Sequence, residues 1–273
     1  DRMWHYTEGV QNWDPIWPHH GLRILPGPSS MWFDATGDRL PAPCMPGFDT
    51  MSTLHEICRR GYDHTWFVLT QKIIEKEFAL SGSEQNFDLT EGGWKDVLKA
   101  RLGKGATPAV EAFKEKGEDF VVANDFDTLV AGMNLLGGYL IDPAKLRAQI
   151  EARDAQMDNP FTKDAQVTAI HTARNYLGDK LLRTAKPHRI LDPGKGPLIA
   201  VKLHVVTRKT LGGIHTDLDA RVFAPGGQTI GGLYAAGEAA GFGGGGYHGN
   251  NALEGTFLGG CIHSGRRAGR AAG

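Results

Sequence analysis

The feature that most restricts what this chain can build is a glycine-rich bend near its C-terminus. Gly232-Leu233-Tyr234-Ala235-Ala236-Gly237-Glu238 is followed by Gly241-Phe242-Gly243-Gly244-Gly245-Gly246-Tyr247-His248-Gly249, and then by a stretch that reads as a terminal helix, Leu253–Ala272. The pattern is a buried strand that breaks at glycine, a single carboxylate, and a loop feeding a helix N-terminus. Four consecutive glycines cost about 1 kcal/mol each in chain entropy relative to alanine, so the loop is expected to have a use. Backbone N–H groups at such a place approach a ligand closely and favour negative charge. A mobile hairpin loop without a ligand is the alternative.

Gly241-x-Gly243-x-x-Gly246 matches the dinucleotide fingerprint in form only. That fingerprint needs a strand, glycines opening a helix, and a second strand with an acidic residue about 20 positions on. Here a single helix follows and the chain ends. No other G-x-G-x-x-G lies upstream, so the chain holds no ADP-binding βαβ unit of its own. It also lacks a G-x-S-x-G elbow, an H-E-x-x-H pair and a Walker loop. His19-His20 has no companion ligands at useful spacing, and no metal site is expected.

Charge and cysteines narrow the classes further. The formal net charge of -1 leaves no electrostatic footprint for nucleic acid or for anionic membrane. Arg266, Arg267 and Arg270 read as the last turns of a helix, where cations suit the macrodipole. Cys44, Cys58 and Cys261 are widely spaced with no C-x-x-C pair, which argues against a disulfide framework and fits a reducing, cytoplasmic compartment. No apolar run approaches the ~18 residues of a membrane helix. The opening Asp-Arg-Met-Trp-His has no leader pattern and starts mid-pattern, so further sequence upstream is expected.

Along the chain, residues 1–50 read as loops around short strands. One is Ser30–Asp34, before the turn Ala35-Thr36-Gly37-Asp38. Helices follow. Thr53 with Glu56 reads as a capping box for a helix ending near Gly61. Thr70 caps Gln71–Leu80, and Thr107-Pro108 and Asp142-Pro143 each place an N-cap before a first-turn proline. A further helix is predicted over Thr162–Thr184. From Pro187 the texture turns to strands: Leu198–Val206, then Thr210–Thr216, Ala220–Phe223 and Leu233–Ala236.

The closing segment resembles a known family. The ordered string Thr210-Leu211-Gly212-Gly213-Ile214, Thr216-Asp217, Ala220-Arg221-Val222, Gly232–Glu238 and the glycine loop before a terminal helix is similar to the C-terminal third of certain flavoproteins. These include fumarate reductase, succinate dehydrogenase and 3-ketosteroid Δ1-dehydrogenase. The nearest likeness is to the ketosteroid-dehydrogenase-like branch. Trp4-His5-Tyr6-Thr7 and Asp34-x-x-Gly37-Asp38-Arg39-Leu40 extend the resemblance backwards. It implies an α+β architecture, in which a mostly helical cap domain with a small sheet precedes strands and a terminal helix that complete an FAD-binding α/β domain. Residues 1–50 would be a lead-in segment and hairpin joining the two domains, 51–195 the substrate cap, and 196–273 the C-terminal part of the FAD domain. The N-terminal FAD-binding half would be a missing partner.

The resemblance also implies roles. Gly237 and Glu238 would contact the ribityl and pyrophosphate part of FAD. Gly255, Thr256, Phe257 and Leu258, at the start of the terminal helix, would lie under the flavin pyrimidine. A helix N-terminus stabilises negative charge there by ~0.3–1 kcal/mol when exposed. Two departures bear on substrate. Dicarboxylate reductases keep an arginine after the loop's His-Gly, where this chain has Ala252. They keep a second, proton-donating arginine after the hairpin, where Pro46-Gly47-Phe48-Asp49 has none. A dianion needs those bidentate donors, so fumarate or succinate chemistry is not expected. The ketosteroid branch places a tyrosine near the same loop, at a position falling on Asn250, with Tyr247 three residues away.

The expected activity is therefore an FAD-dependent dehydrogenase, or enoate-type reductase, working on a C–C bond beside a carbonyl of a small hydrophobic substrate. Tyr247 and His248 are the leading acid–base candidates, His5 is a third, and Lys209 would orient an oxygen of substrate or flavin. His55, His204 and His215 are single histidines, more often structural than catalytic. Two other readings stand beside this one: a non-catalytic fragment or subunit of a split enzyme, and a module binding a lipid-like ligand.

Overall fold

The structure is a computed structural model and describes residues 2–8, 22–81, 95, 103, 105–210, 213–240 and 257–273. Its strands are β1 (Arg2–Glu8), β2 (Leu22–Leu25), β3 (Met31–Asp34), β4 (His64–Thr70), β5 (Ala79–Ser81), β6 (Phe120–Ala123), β7 (Leu198–Thr210), β8 (Arg221–Phe223) and β9 (Thr229–Tyr234). Its helices are α1 (Thr50–Arg60), α2 (Gln71–Glu77), α3 (Pro108–Lys116), α4 (Phe126–Gly137), α5 (Pro143–Gln156), α6 (Ala165–Ala173) and α7 (Phe257–Ala272). The architecture is α+β, as the sequence leads one to expect. Among the described residues no helix is long and apolar enough to cross a membrane.

The chain divides into two compact units, one of Tyr6–Val206 and one of Asp1–His5 with Thr207–Gly273. The larger sheet runs β3-β4-β7-β1-β2-β5, with β6 also paired to β7. β4 is its centre. It pairs antiparallel with β3 through Trp32↔Phe67 and with β7 through Trp66↔Lys202. All seven of its residues are buried, which fits a near-continuous apolar run with neighbours on both faces. Ile73 and Ile74 of α2, Val110 and Phe113 of α3, and Leu129, Val130 and Met133 of α4 belong to the same core. Each such side chain contributes roughly 1.5–3 kcal/mol by leaving water.

Capping explains most helix starts. The Oγ1 of Thr70 accepts from the Ile73 N–H, and the carboxylate of Asp142 accepts from Ala144 and Lys145, as expected. Thr107 stands at the N-cap before Pro108, yet its side chain makes no capping bond.

Three expectations need correction. α1 begins one turn earlier than the Thr53–Glu56 box implies. Asp49 takes the cap by accepting from Ser52 N–H, Thr53 instead donates to the Asp49 carbonyl, and Glu56 pairs with Arg59 and Arg60. The expected end at Gly61 holds, with that glycine left-handed at φ 76°. α2 stops at Glu77 rather than Leu80, because Phe78 turns extended and leads into β5. The helix predicted over 162–184 shrinks to Ala165–Ala173, capped by Asp164. Beyond it the Arg174 guanidinium takes the carbonyls of Thr184 and Ala185, and only a π-helical turn, Asp179–Arg183, follows.

Candidate functional site

In the unit containing Thr207–Gly273, β8 and β9 form an antiparallel pair, and β9 breaks after Tyr234 into the turn Gly237–Ala240. Among the described residues, Val222, Ala235 and Ala240 form a buried cluster in it. Gly237 sits at φ 65°, a left-handed conformation that glycine adopts without steric cost. Its N–H donates to the Oγ of Ser264 at 2.9 Å, and that hydroxyl donates in turn to the Gly260 carbonyl one turn back along α7. A β-carbon on Gly237 would stand 3.3 Å from the Cys261 sulfur. The Tyr234 hydroxyl donates to the Ala271 carbonyl near the far end of α7. Strand, turn and helix are thus fastened at both ends.

The preceding loop is tied to the same body. Ile214 N–H donates to the Ala239 carbonyl, and Arg267 pairs with Asp219 at 2.5 Å while donating to the Leu218 carbonyl. Sequence reasoning missed Ser264 and Arg267. The small residues Gly260, Cys261 and Ser264, at helical spacing, are the signal that a backbone turn packs closely against this face.

The fit to FAD can be judged on what remains open. The Gly237 amide is taken by Ser264 and is not free for a ligand. The Glu238 carboxylate is exposed on the adjoining position, and a carboxylate accepts hydrogen bonds from sugar hydroxyls. At Gly231 and Gly232 an added β-carbon would meet no atom within 4 Å, so these backbones are open to close approach. The described residues suit the polyhydroxyl part of such a cofactor.

Of the residues singled out in sequence, Gly237 and Glu238 stand together on this turn. Leu258 lies in the first turn of α7 with its side chain 74% exposed, and Phe257 opens that helix. His5 lies in β1 and Lys209 in β7. Tyr247, His248, Gly255 and Thr256 lie outside the described residues, as do Asn250 and Ala252. No group of three or more metal-ligating side chains occurs among the described residues.

The unit Tyr6–Val206 carries a cavity of about 300 Å³ at the predicted hairpin. Trp32, Leu40, Pro41, Cys44, Met45 and Pro46 supply its apolar wall, and Arg39, Asp164 and Gln166 its polar side. The Arg39 guanidinium makes three hydrogen bonds there. It donates to both Asp164 oxygens, at 2.6 and 3.1 Å, and to the Gln166 carbonyl oxygen at 2.9 Å. Asp164 also caps α6 through Gln166 and Val167 N–H. These contacts, with the neighbouring positive charge, hold its carboxyl below the ordinary range although burial acts in the opposite direction. Asp34 anchors the turn of the same hairpin. Its carboxylate accepts from Thr36 and Asp38 N–H and pairs with Arg60 at 2.5 Å.

With this geometry in hand, the chain can be set beside known proteins. It matches the FAD binding domain family over residues 1–258. It is 63% identical over 259 residues to a KsdD-like steroid dehydrogenase of Mycolicibacterium smegmatis, covering 94% of this chain and 47% of that protein. It is 60% identical over 273 residues to a KsdD-like steroid dehydrogenase of Mycobacterium tuberculosis, covering all of this chain and 48% of that protein. The chain therefore spans about half the length of the curated relatives it matches. Among solved structures, a 3-ketosteroid Δ1-dehydrogenase from Sterolibacterium denitrificans shares the fold, with a TM-score of 0.56 at 17% identity over 99% of this chain and 42% of that one. A flavocytochrome c3 fumarate reductase does so with a TM-score of 0.52 at 16% identity, covering 99% and 36%.

Proposed function

The chain belongs to the FAD binding domain family, and from that membership we propose that it is the C-terminal part of an FAD-dependent dehydrogenase. The whole enzyme would remove hydride from a carbon beside a carbonyl in a hydrophobic, ketosteroid-like substrate. In this reading Tyr6–Val206 contains the substrate cap, and Thr207–Gly273 completes the cofactor domain. A cytoplasmic location goes with it.

FAD, when bound, supplies the two-electron acceptor. The chain's own residues then have separable tasks. Glu238 accepts from hydroxyls of the cofactor's sugar chain, and the glycine backbone beside it permits close approach. Gly255, Thr256, Phe257 and Leu258 would hold the electron-accepting ring at the amino end of α7, where negative charge is favoured. Removing the proton from the neighbouring carbon falls to Tyr247 or His248, with His5 as the third candidate. Lys209 orients an oxygen.

One observation carries the substrate class: the engagement of Arg39. A dicarboxylate needs a guanidinium free to bind it bidentately, but this one is already paired with both Asp164 oxygens and Gln166 beside a cavity with an apolar wall. A neutral carbonyl compound suits that lining better. Anaerobic mixing of the protein at its relatives' full length with a panel of 3-ketosteroids, and separately with succinate, should bleach the flavin only with steroids. Bleaching by succinate alone would overturn the substrate class.

The chain's span, 47–48% of its curated relatives, favours a second reading, a piece that does not retain flavin by itself. Purified as 273 residues, a yellow protein whose flavin is lost on Glu238→Ala supports the cofactor role given to that carboxylate. A colourless protein that takes up no FAD on titration favours the second reading.

A further inference from the structure

Between α6 and β7 the chain makes a short projection with a fastened base and an apolar tip. At the base, Arg174 Nη1 donates to the carbonyls of Thr184 at 2.7 Å and Ala185 at 3.1 Å. Both the N–H and the hydroxyl of Thr184 donate to the Asp179 carbonyl at 2.9 Å. Ala185 N–H donates to the buried Glu77 carboxylate at 2.9 Å. These bonds fix the loop from beneath, so its outer side chains have little freedom to fold back onto the core.

Those outer side chains are the wrong kind for water. Tyr176 is 71% exposed, Leu177 65% and Leu181 53%. The Tyr176 ring lies over Gly178, where a β-carbon would come within 2.8 Å of it. Interleaved with them are exposed cations, Lys180, Arg183 and Lys186. Asp179 reaches Arg183 only at 3.9 Å, and among the described residues no acid pairs with Lys180 or Lys186. An amphipathic ring beside two leucines, ringed by long-stemmed cations, is the composition that suits the boundary between lipid headgroups and acyl chains.

We propose that the 174–186 projection docks on an anionic lipid surface. Tyr176, Leu177 and Leu181 enter the interface, and Lys180, Arg183 and Lys186 meet the phosphates. The net charge of the whole chain, -1, gives no general attraction to such a surface, so binding would be local to this element. The proposal is independent of the redox reading, since it draws on none of the cofactor residues.

The test is flotation of the 273-residue protein with vesicles of phosphatidylcholine alone or mixed with phosphatidylglycerol. Leu177→Cys carrying an environment-sensitive dye reports entry into the interface. Binding is expected on the mixed vesicles, to fall with added salt, and to weaken about fivefold for each cation replaced by glutamine. Tyr176→Ser with Leu181→Ser should abolish the dye shift at position 177. Thermal melts verify folding, and the single changes Leu177→Ser and Lys186→Gln, read by flotation, stand in if the double variant unfolds. Failure of the wild type to float with anionic vesicles, equal binding to neutral ones, or indifference to these substitutions would overturn the proposal. So would retention by polyuridylate without any dye shift on vesicles, which would mark a nucleic-acid contact instead.

Discussion

Glu77 closes the end of α2 with its carboxyl wholly removed from solvent. One oxygen accepts from Ser29 N–H at 2.8 Å, and the other accepts from the Ser29 hydroxyl at 2.6 Å and from Ala185 N–H at 2.9 Å. Burial pushes its pKa up to about 7, against the pull of those donors. Between the ordinary carboxyl range and that value the folded protein holds a proton the unfolded chain has released. Stability from this group is therefore greatest in acid and declines as pH rises toward neutrality. The change is on the order of 3 kcal/mol. Two histidines oppose it. Burial lowers the pKa of His64 and of His188, so their contribution is lost as pH falls. Glu77→Gln should remove the acid-side gain and leave stability rising with pH across about pH 5 to 7, as read from urea unfolding at several pH values. A curve parallel to wild type would refute the assignment.

At the level of elements, Asp164 joins two tasks: it caps α6 and holds Arg39 on the hairpin side. Asp164→Ala should cost roughly 2–3 kcal/mol in urea unfolding, more than a cap alone. Asp142→Ala, which removes only a cap, should cost about 1 kcal/mol. Equal losses would show that the Arg39 pair contributes nothing. The same comparison shows what was legible in sequence. Thr70, Asp142 and the Met31–Asp34 strand could be read because the signal lies within a few residues of its effect. The start of α1 misled because Asp49, four residues before Thr53, takes the cap by accepting from Ser52 N–H and leaves Thr53 inside the first turn. The long helix over 162–184 misled for a different reason. The apolar spacing is real, but the chain leaves the helix at Arg174, whose guanidinium reaches forward to the Thr184 and Ala185 carbonyls, and no local pattern announces that. In the site, the Gly-Glu turn was visible from its glycines, whereas Ser264 and the Arg39–Asp164 pair depend on contacts far apart in sequence.

For the whole molecule, the two units differ in how much core they possess. Among the described residues, Tyr6–Val206 holds the extensive cluster around β4, while the unit with Thr207–Gly273 has Val222, Ala235 and Ala240. Small cores give low opening free energies. Native-state hydrogen exchange should find the amides of β4 and the first half of β7 protected longest, and those of β8 and β9 exchanging first. If FAD binds as proposed, protection should rise over Gly237–Ala240 before it rises anywhere in β4. Uniform exchange across both units would contradict this.

The bond from Gly237 N–H to Ser264 has a mechanical sequel. A turn that would otherwise swing on a left-handed glycine is bolted to a rod of 16 residues, about 24 Å long at the usual rise. A ligand held by the carboxylate next door therefore rests on a turn joined to that rod at Ser264 and, through Tyr234, at Ala271.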